Sequence, residues 1–216
     1  MRLILIRHGQ TASNVAGVLD TRIPGPGLTD LGRAQAARLP ETLREEAIGA
    51  LHVSTMVRTH ETAAPLARAL GLAPVERDGI REIAAADLEM RGDRAAVTEY
   101  LDTMIRWVAG EEDLPLAGGE TGRGFLARFD AVVAEAEGSG HGTVAFVSHG
   151  AAIRCWAGIR ARGLDAAFVA AHPLENTGVV VLEGSGRNWA LESWEGDPAS
   201  GVGDGAPSGP TGDPAA

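Results

Sequence analysis

The sequence predicts an α/β domain with a mostly parallel sheet and helices on both faces. Two short runs, at 3–6 and 143–148, are apolar at successive positions, as strands covered on both sides are. They alternate with longer segments of helical period, at 58–70 and 122–137. The chain has 216 residues, enough for one domain with a full core, and 44% of them are hydrophobic.

Each element has a local reason. Leu3-Ile4-Leu5-Ile6 reads as the first strand, followed by a loop containing Pro24-Gly25-Pro26-Gly27. Thr29 suits an N-cap, and the helix after it is expected to kink or restart at Pro40. Residues 50–54 form a second strand candidate, and the helix at 58–70 closes on Gly71. Residues 81–94 have no decisive pattern. Helices are expected at 95–108 and at 122–137, where Phe125, Leu126, Phe129, Val132 and Val133 make one stripe. The run 143–148 is the clearest strand, with a helix starting near Ala151. Residues 178–182 and 188–194 are expected to pair as an antiparallel hairpin at the sheet edge. The domain is thus placed at 1–195. Residues 196–216, nearly all Gly, Pro, Ala, Ser and Asp, are expected to form a disordered tail.

Composition narrows the chemistry. The formal net charge is −10, which argues against a nucleic-acid partner. All 19 basic residues are Arg, so a lysine nucleophile or Schiff base is excluded, and a phosphate must be held by Arg, His or backbone N–H. The single cysteine, Cys155, allows neither an internal disulfide nor a thiolate zinc site. No stretch is long enough to span a membrane, and a cytoplasmic location is the default expectation.

Two places repeat one design: a buried strand ends in a histidine followed by glycine, at Arg7-His8-Gly9 and at Ser148-His149-Gly150. Ligands of open α/β sheets bind at the carboxyl ends of strands, so the two imidazoles would share a crevice if their strands are neighbours. Glycine after each, Gly150 included, lets a ligand approach the backbone. Arg7 at the tip of a buried strand needs an anionic partner, and none lies beside it in sequence. Arg58 falls in the first turn of a helix, where a cation opposes the macrodipole unless an anion binds there. Two imidazoles and two guanidiniums, with no metal-ligand cluster, suit phosphoryl transfer to a neutral imidazole. A carboxyl kept protonated would serve the leaving oxygen, with Glu82, Asp87 and Glu89 as candidates.

The run Leu5-Ile6-Arg7-His8-Gly9-Gln10-Thr11, with Asn14 beyond it, resembles the signature of the histidine phosphatase superfamily, the group of phosphoglycerate mutases and related phosphatases. The likeness continues through Leu28-Thr29-Asp30-Leu31-Gly32, Ser54 to Thr62, Gly118-Gly119-Glu120 and Val147-Ser148-His149-Gly150. It implies a three-layer α/β/α sandwich around a sheet of about six strands. It further implies that His8 is phosphorylated, that Arg7, Arg58 and His149 complete the phosphate pocket, that Asn14 supports the phosphate, and that Glu82 is the acid. Members usually follow that acid with Gly-x-Trp-Glu-Gly. Here the run is Ala84-Ala85-Ala86-Asp87-Leu88-Glu89-Met90-Arg91-Gly92, similar to an actinobacterial subgroup, and Asp87 and Glu89 stay open as acids.

Three functions follow as expectations. A metal-independent phosphatase acting on a small phosphorylated molecule comes first, with no cofactor. A phosphoglycerate mutase using the same histidine is second, although the Glu-Arg-x-Tyr-Gly-like stretch of mutases is absent. An inactive phospholigand-binding domain is third, and retention of all the pocket residues speaks against it. Specificity is assigned to Gln10, the loop 21–27 and residues 87–105, with Thr11 and Arg22 as further substrate contacts and Arg91 and Arg94 as possible anion contacts. A monomer and a homodimer are both compatible with the sequence.

Overall fold

A seven-stranded sheet runs through the computed structural model, which describes residues 1–195. In chain order the elements are β1 (Arg2–Arg7), α1 (Ala12–Ala16), α2 (Asp30–Thr42), β2 (Ala50–Val53), α3 (Val57–Leu70), β3 (Val75–Glu76), α4 (Arg94–Val108), α5 (Gly122–Gly138), β4 (Thr143–Ser148), α6 (Gly150–Arg160), β5 (Ala161–Arg162), α7 (Ala166–Ala171), β6 (Val179–Ser185) and β7 (Asn188–Glu195). The strands lie in the order β3-β2-β4-β1-β6-β7-β5. β6 is antiparallel to both of its neighbours, and every other pairing is parallel. The expected tail at 196–216 lies outside the described residues.

The sheet is covered on both faces because its central strands alternate two sets of apolar side chains. On one side Leu3, Leu5, Val144, Phe146, Val180 and Leu182 pack with Trp107 of α4, Phe125 and Phe129 of α5 and Trp156 of α6. On the other, Ile4, Ile6, Ala145, Val147 and Val181 pack with Leu39 of α2 and Ala63 and Leu66 of α3. Each fully buried side chain of this size contributes about 1.5–3 kcal/mol. The few aromatics are gathered: the rings of Phe129 and Trp156 stack 5.2 Å apart, and Trp189 meets Trp156 edge-on at 5.6 Å. The architecture is therefore the three-layer α/β/α sandwich.

Two local expectations are corrected, and one undecided segment is resolved. α2 runs through Pro40 to Thr42: the proline sits in the last turn, and the Leu43 N–H still reaches the Leu39 carbonyl at 2.9 Å. The β6–β7 hairpin forms but is not the edge, because two-residue β5 pairs with β7 beyond it. Residues 81–94 hold a 3-10 turn at Ala86–Leu88, following another at Asp78–Ile80.

One register and one close contact position the site. β1 and β4 are adjacent and parallel with Arg7 opposite Ser148, so His8 and His149 leave the sheet side by side. Gly9 and Gly32 bring the loop after β1 onto α2: a Cβ on Gly32 would stand 2.1 Å from the Gln10 carbonyl oxygen, and one on Gly9 2.6 Å from the Gly32 oxygen. No other residue fits either place, which accounts for Gly32 in the Leu-Thr-Asp-Leu-Gly run.

Candidate active site

His8 is 3% exposed and sits one residue past β1, its N–H bonded to the Ser148 carbonyl. Its Nδ1 lies 2.8 Å from the Gly9 carbonyl oxygen. A carbonyl only accepts, so that nitrogen carries the hydrogen and Nε2 keeps its lone pair. Burial, then the charges of Arg58 and Arg7, hold His8 well below its ordinary value of 6.5. The ring is a neutral base with one nitrogen ready to attack.

His149 is fully buried, and its ring centroid is 5.2 Å from that of His8. Arg58 Nε donates to its Nδ1 at 3.3 Å, so the proton of the neutral ring is on Nε2, 2.8 Å from Ser54 Oγ. Ser54 faces Thr59 Oγ1 at 3.1 Å, and Thr59 donates to the Met56 carbonyl at 2.8 Å. That chain runs in one direction and fixes the tautomer. Burial first, then Arg58, lowers the His149 pKa well below 6.5.

The arginines are placed by element ends. Arg7 closes β1, fully buried, and donates to the Leu174 carbonyl at 2.6 Å. Arg58 is the second residue of α3, whose N-cap, Met56, provides no side-chain cap. Arg58 also donates to the Asp20 carbonyl at 3.1 Å. Desolvation by burial lowers the pKa of both guanidiniums, Arg7 to about 10, which leaves Arg7 charged at neutral pH.

Glu82 is 3% exposed and caps a helix from outside it. Its Oε1 accepts from Ile83 N at 2.9 Å and Ala152 N at 2.8 Å, and its Oε2 from Ala151 N at 3.3 Å. The start of α6, where His149 gives no side-chain cap, is thereby satisfied. Those bonds and Arg58 favour the carboxylate, but burial outweighs them and raises the Glu82 pKa above 4.5. Oε2, with one long bond, is the oxygen free to carry a proton.

A polar cleft is lined by His8, Thr11, Asn14, Arg58 and Glu82, with Ser13, Val18, Leu19, Asp20 and Thr21 around them. Arg7, His149 and Gly150 are not part of this lining; the first two are fully buried and Gly150 is buried. Asn14 Oδ1 is committed to Thr11 N at 3.0 Å, Thr11 Oγ1 at 3.1 Å and Asn176 Nδ2 at 3.3 Å, which leaves its own amide N–H2 for a ligand. Gln10 is elsewhere: its Oε1 accepts from Thr29 Oγ1 at 2.9 Å, and it does not line the cleft. Arg22 is exposed. Of the three carboxyl candidates, Glu82 alone is in the cleft. Asp87 is exposed, and Glu89 holds Thr21 N at 2.9 Å and Arg22 N at 3.1 Å.

Several participants escaped the sequence reading. Asn176 donates to the His8 carbonyl at 3.0 Å, and Thr62 Oγ1 accepts from Gly9 N at 2.9 Å. Nothing in the sequence marks Asn176, 168 residues from its partner. Ser54 and Thr62 fall inside a motif run and had this signal alone.

With this geometry in view, the comparisons with known proteins are decisive. Residues 3–197 match the histidine phosphatase superfamily (branch 1). The chain belongs to that superfamily. Among its relatives, a PE-PGRS family protein of Mycobacterium tuberculosis is 34% identical over 210 residues, 89% of this chain. This chain spans only 36% of that relative's length. A probable phosphoglycerate mutase of Yersinia pestis is 30% identical over 159 residues, 72% of each chain. A mycobacterial glucosyl-3-phosphoglycerate phosphatase in complex with VO3 superposes with a TM-score of 0.74 at 26% identity, covering 90% of this chain and 98% of that one. The α-ribazole phosphatase of Shigella flexneri gives 0.69 at 25%, covering 94% and 100%. Among the described residues, no helix is long and apolar enough to cross a membrane.

Proposed function

We propose that this histidine phosphatase superfamily member hydrolyses small phosphate monoesters through a phosphohistidine on His8. The carrying observation is the His8 ring: buried, held neutral by burial and by the charges of Arg58 and Arg7, with Nδ1 bound to the Gly9 carbonyl so that Nε2 keeps the lone pair. The phosphatases among the similar solved structures support the same reading.

His8 Nε2 attacks phosphorus, and the bond to the ester oxygen breaks. Protonated Glu82 gives its proton to that oxygen as the alcohol leaves. Arg7, Arg58 and the Asn14 amide balance charge on the other three phosphoryl oxygens, and His149, whose Nδ1 accepts from Arg58 Nε at 3.3 Å, orients that guanidinium. Glu82, now a carboxylate, takes a proton from a water that attacks the phosphohistidine, and orthophosphate and the neutral imidazole result. The donors in this scheme are protein groups, so turnover is expected to proceed without added metal.

The test is phosphate release from a panel of monoesters in EDTA, with His8→Ala as control. Activity that disappears in the variant supports the mechanism, and activity that survives in it, or is lost on chelation, overturns it. The mutase relative motivates a second reading. No release, with 2- and 3-phosphoglycerate interconverting after a bisphosphoglycerate primer, would favour it.

A further inference from the structure

The cleft changes character from its floor to its mouth. His8, Arg58, Asn14, Thr11 and Glu82 are nearly inaccessible, whereas Ser13, Asp20 and Thr21 are partly exposed and form its outer wall. The one cation in the lining, Arg58, is at the floor. At the mouth the charged side chain is Asp20. Its Oδ2 accepts from Ser13 Oγ at 2.6 Å, and its carboxylate makes no ion pair among the described residues. Its main chain is pinned, since its carbonyl takes the Arg58 N–H. The neighbouring Thr21 is pinned as well, through Glu89 and through Ala85 N, which donates to Thr21 Oγ1 at 2.9 Å. The Asp20 carboxylate is therefore anchored at the partly exposed side of the cleft, with Oδ1 uncommitted.

Resting on the phosphatase reading, we infer that Asp20 selects the leaving group. The substrate is a phosphate monoester whose alcohol carries a hydrogen-bond donor, a hydroxyl or an ammonium, close to the ester oxygen. A carboxylate at that place meets the Asp20 charge with no cation in the cleft mouth to offset it. A donor there makes a charge-assisted hydrogen bond, which discriminates by about tenfold or more against a group lacking it. Arg22 and Arg91 do not reverse this: neither lines the cleft, and Arg91 is engaged by Asp93 at 2.9 Å.

The experiment compares kcat/KM for glycerol 3-phosphate, phosphoethanolamine, phosphoglycolate (a carboxylate where the first two carry the donor) and p-nitrophenyl phosphate in the wild type and in Asp20→Asn and Asp20→Ser. Wild type is expected to favour glycerol 3-phosphate or phosphoethanolamine over phosphoglycolate by about tenfold or more, and the variants to narrow that ratio by a similar factor. Which of the two leads tells a hydroxyl-bearing from an ammonium-bearing substrate. Equal use of phosphoglycolate by the wild type, or an unchanged ratio in both variants, overturns the inference while leaving the phosphatase reading intact. Failure to release phosphate from any ester, the nitrophenyl one included, overturns that reading and this inference with it.

Discussion

His8 and Glu82 are buried beside each other's chemistry, and burial moves them in opposite directions. A base is pushed down and a carboxylic acid up, so His8 stays deprotonated at pH values where an ordinary histidine has taken a proton, and Glu82 stays protonated where an ordinary glutamate has lost one. The sign of the pH dependence follows. Loss of kcat/KM on the acid side, from protonation of His8, falls well below pH 6.5, and the alkaline limb, from ionisation of Glu82, sets in above 4.5. A profile measured in the free enzyme should therefore be displaced to the acid side, without a drop through pH 6.5 as pH falls. Glu82→Gln should lower kcat/KM for an alkyl phosphate about 10²–10⁴-fold and remove the alkaline limb. It should cost much less for p-nitrophenyl phosphate, whose leaving group departs without a proton. Equal losses on the two esters would remove Glu82 from the proton-donor role. These two residues differed in how plainly they could be read. His8 ends an apolar strand before a glycine, which the sequence shows. Glu82 was one of three neighbouring carboxyls, and only the folded chain turns Asp87 to solvent and engages Glu89 with the Thr21 loop.

At the scale of elements, the segment that carries Glu82 is held by a helix whose sequence shows only an apolar stripe. Arg128 of α5 donates to the carbonyls of Gly79 and Arg81 at 2.8 Å and of Glu82 at 3.1 Å, and pairs with Glu120 at 2.7 Å. Glu120 in turn accepts from Ala84 N at 3.3 Å. The Gly-Gly-Glu run is thus explained as a brace for the segment that carries Glu82. A lysine cannot reproduce this planar fork. Arg128→Lys is expected to depress turnover of alkyl phosphates more than of p-nitrophenyl phosphate, the signature of a displaced acid. Arg128→Ala should also destabilise the fold by about 3 kcal/mol in urea, since it leaves a largely buried carboxylate unpaired. Such long-range braces are invisible in one sequence because the partners share no period or spacing. The same limit hid Asn176. It hid β3 and β5 too, since two residues are too few to show alternation. By contrast, β1, β4 and α5 were legible because their burial on one or both faces is written into consecutive side chains.

Over the whole molecule, the site is a store of ionisation energy that unfolding releases. His8 and His149 are neutral in the fold and return to an ordinary value of 6.5 when it opens. Below that pH the unfolded chain binds two protons that the native one refuses, so stability falls as pH falls. His52, whose pKa burial also lowers, acts in the same sense. Glu82 acts in the opposite one: native Glu82 takes up its proton at higher pH than in the unfolded chain, so acidification through that range stabilises the fold. The wild type therefore shows a partly cancelled dependence, and the terms separate only when Glu82 is neutralised. In Glu82→Gln, unfolding free energy should drop by about 2 kcal/mol between pH 7 and 5.5, because the buried histidines, His8 and His149 above all, take up protons in the unfolded state that the fold refuses. Adding His8→Asn should remove that histidine's share of the drop. Inorganic phosphate, by setting negative charge against Arg7, Arg58 and the two imidazoles, should flatten it and raise the melting temperature. Urea titrations at the two pH values read all of these together. A Glu82→Gln protein equally stable at pH 7 and 5.5 would mean that the imidazoles are not held neutral by the fold, and the neutral nucleophile at the centre of the proposed reaction would go with them.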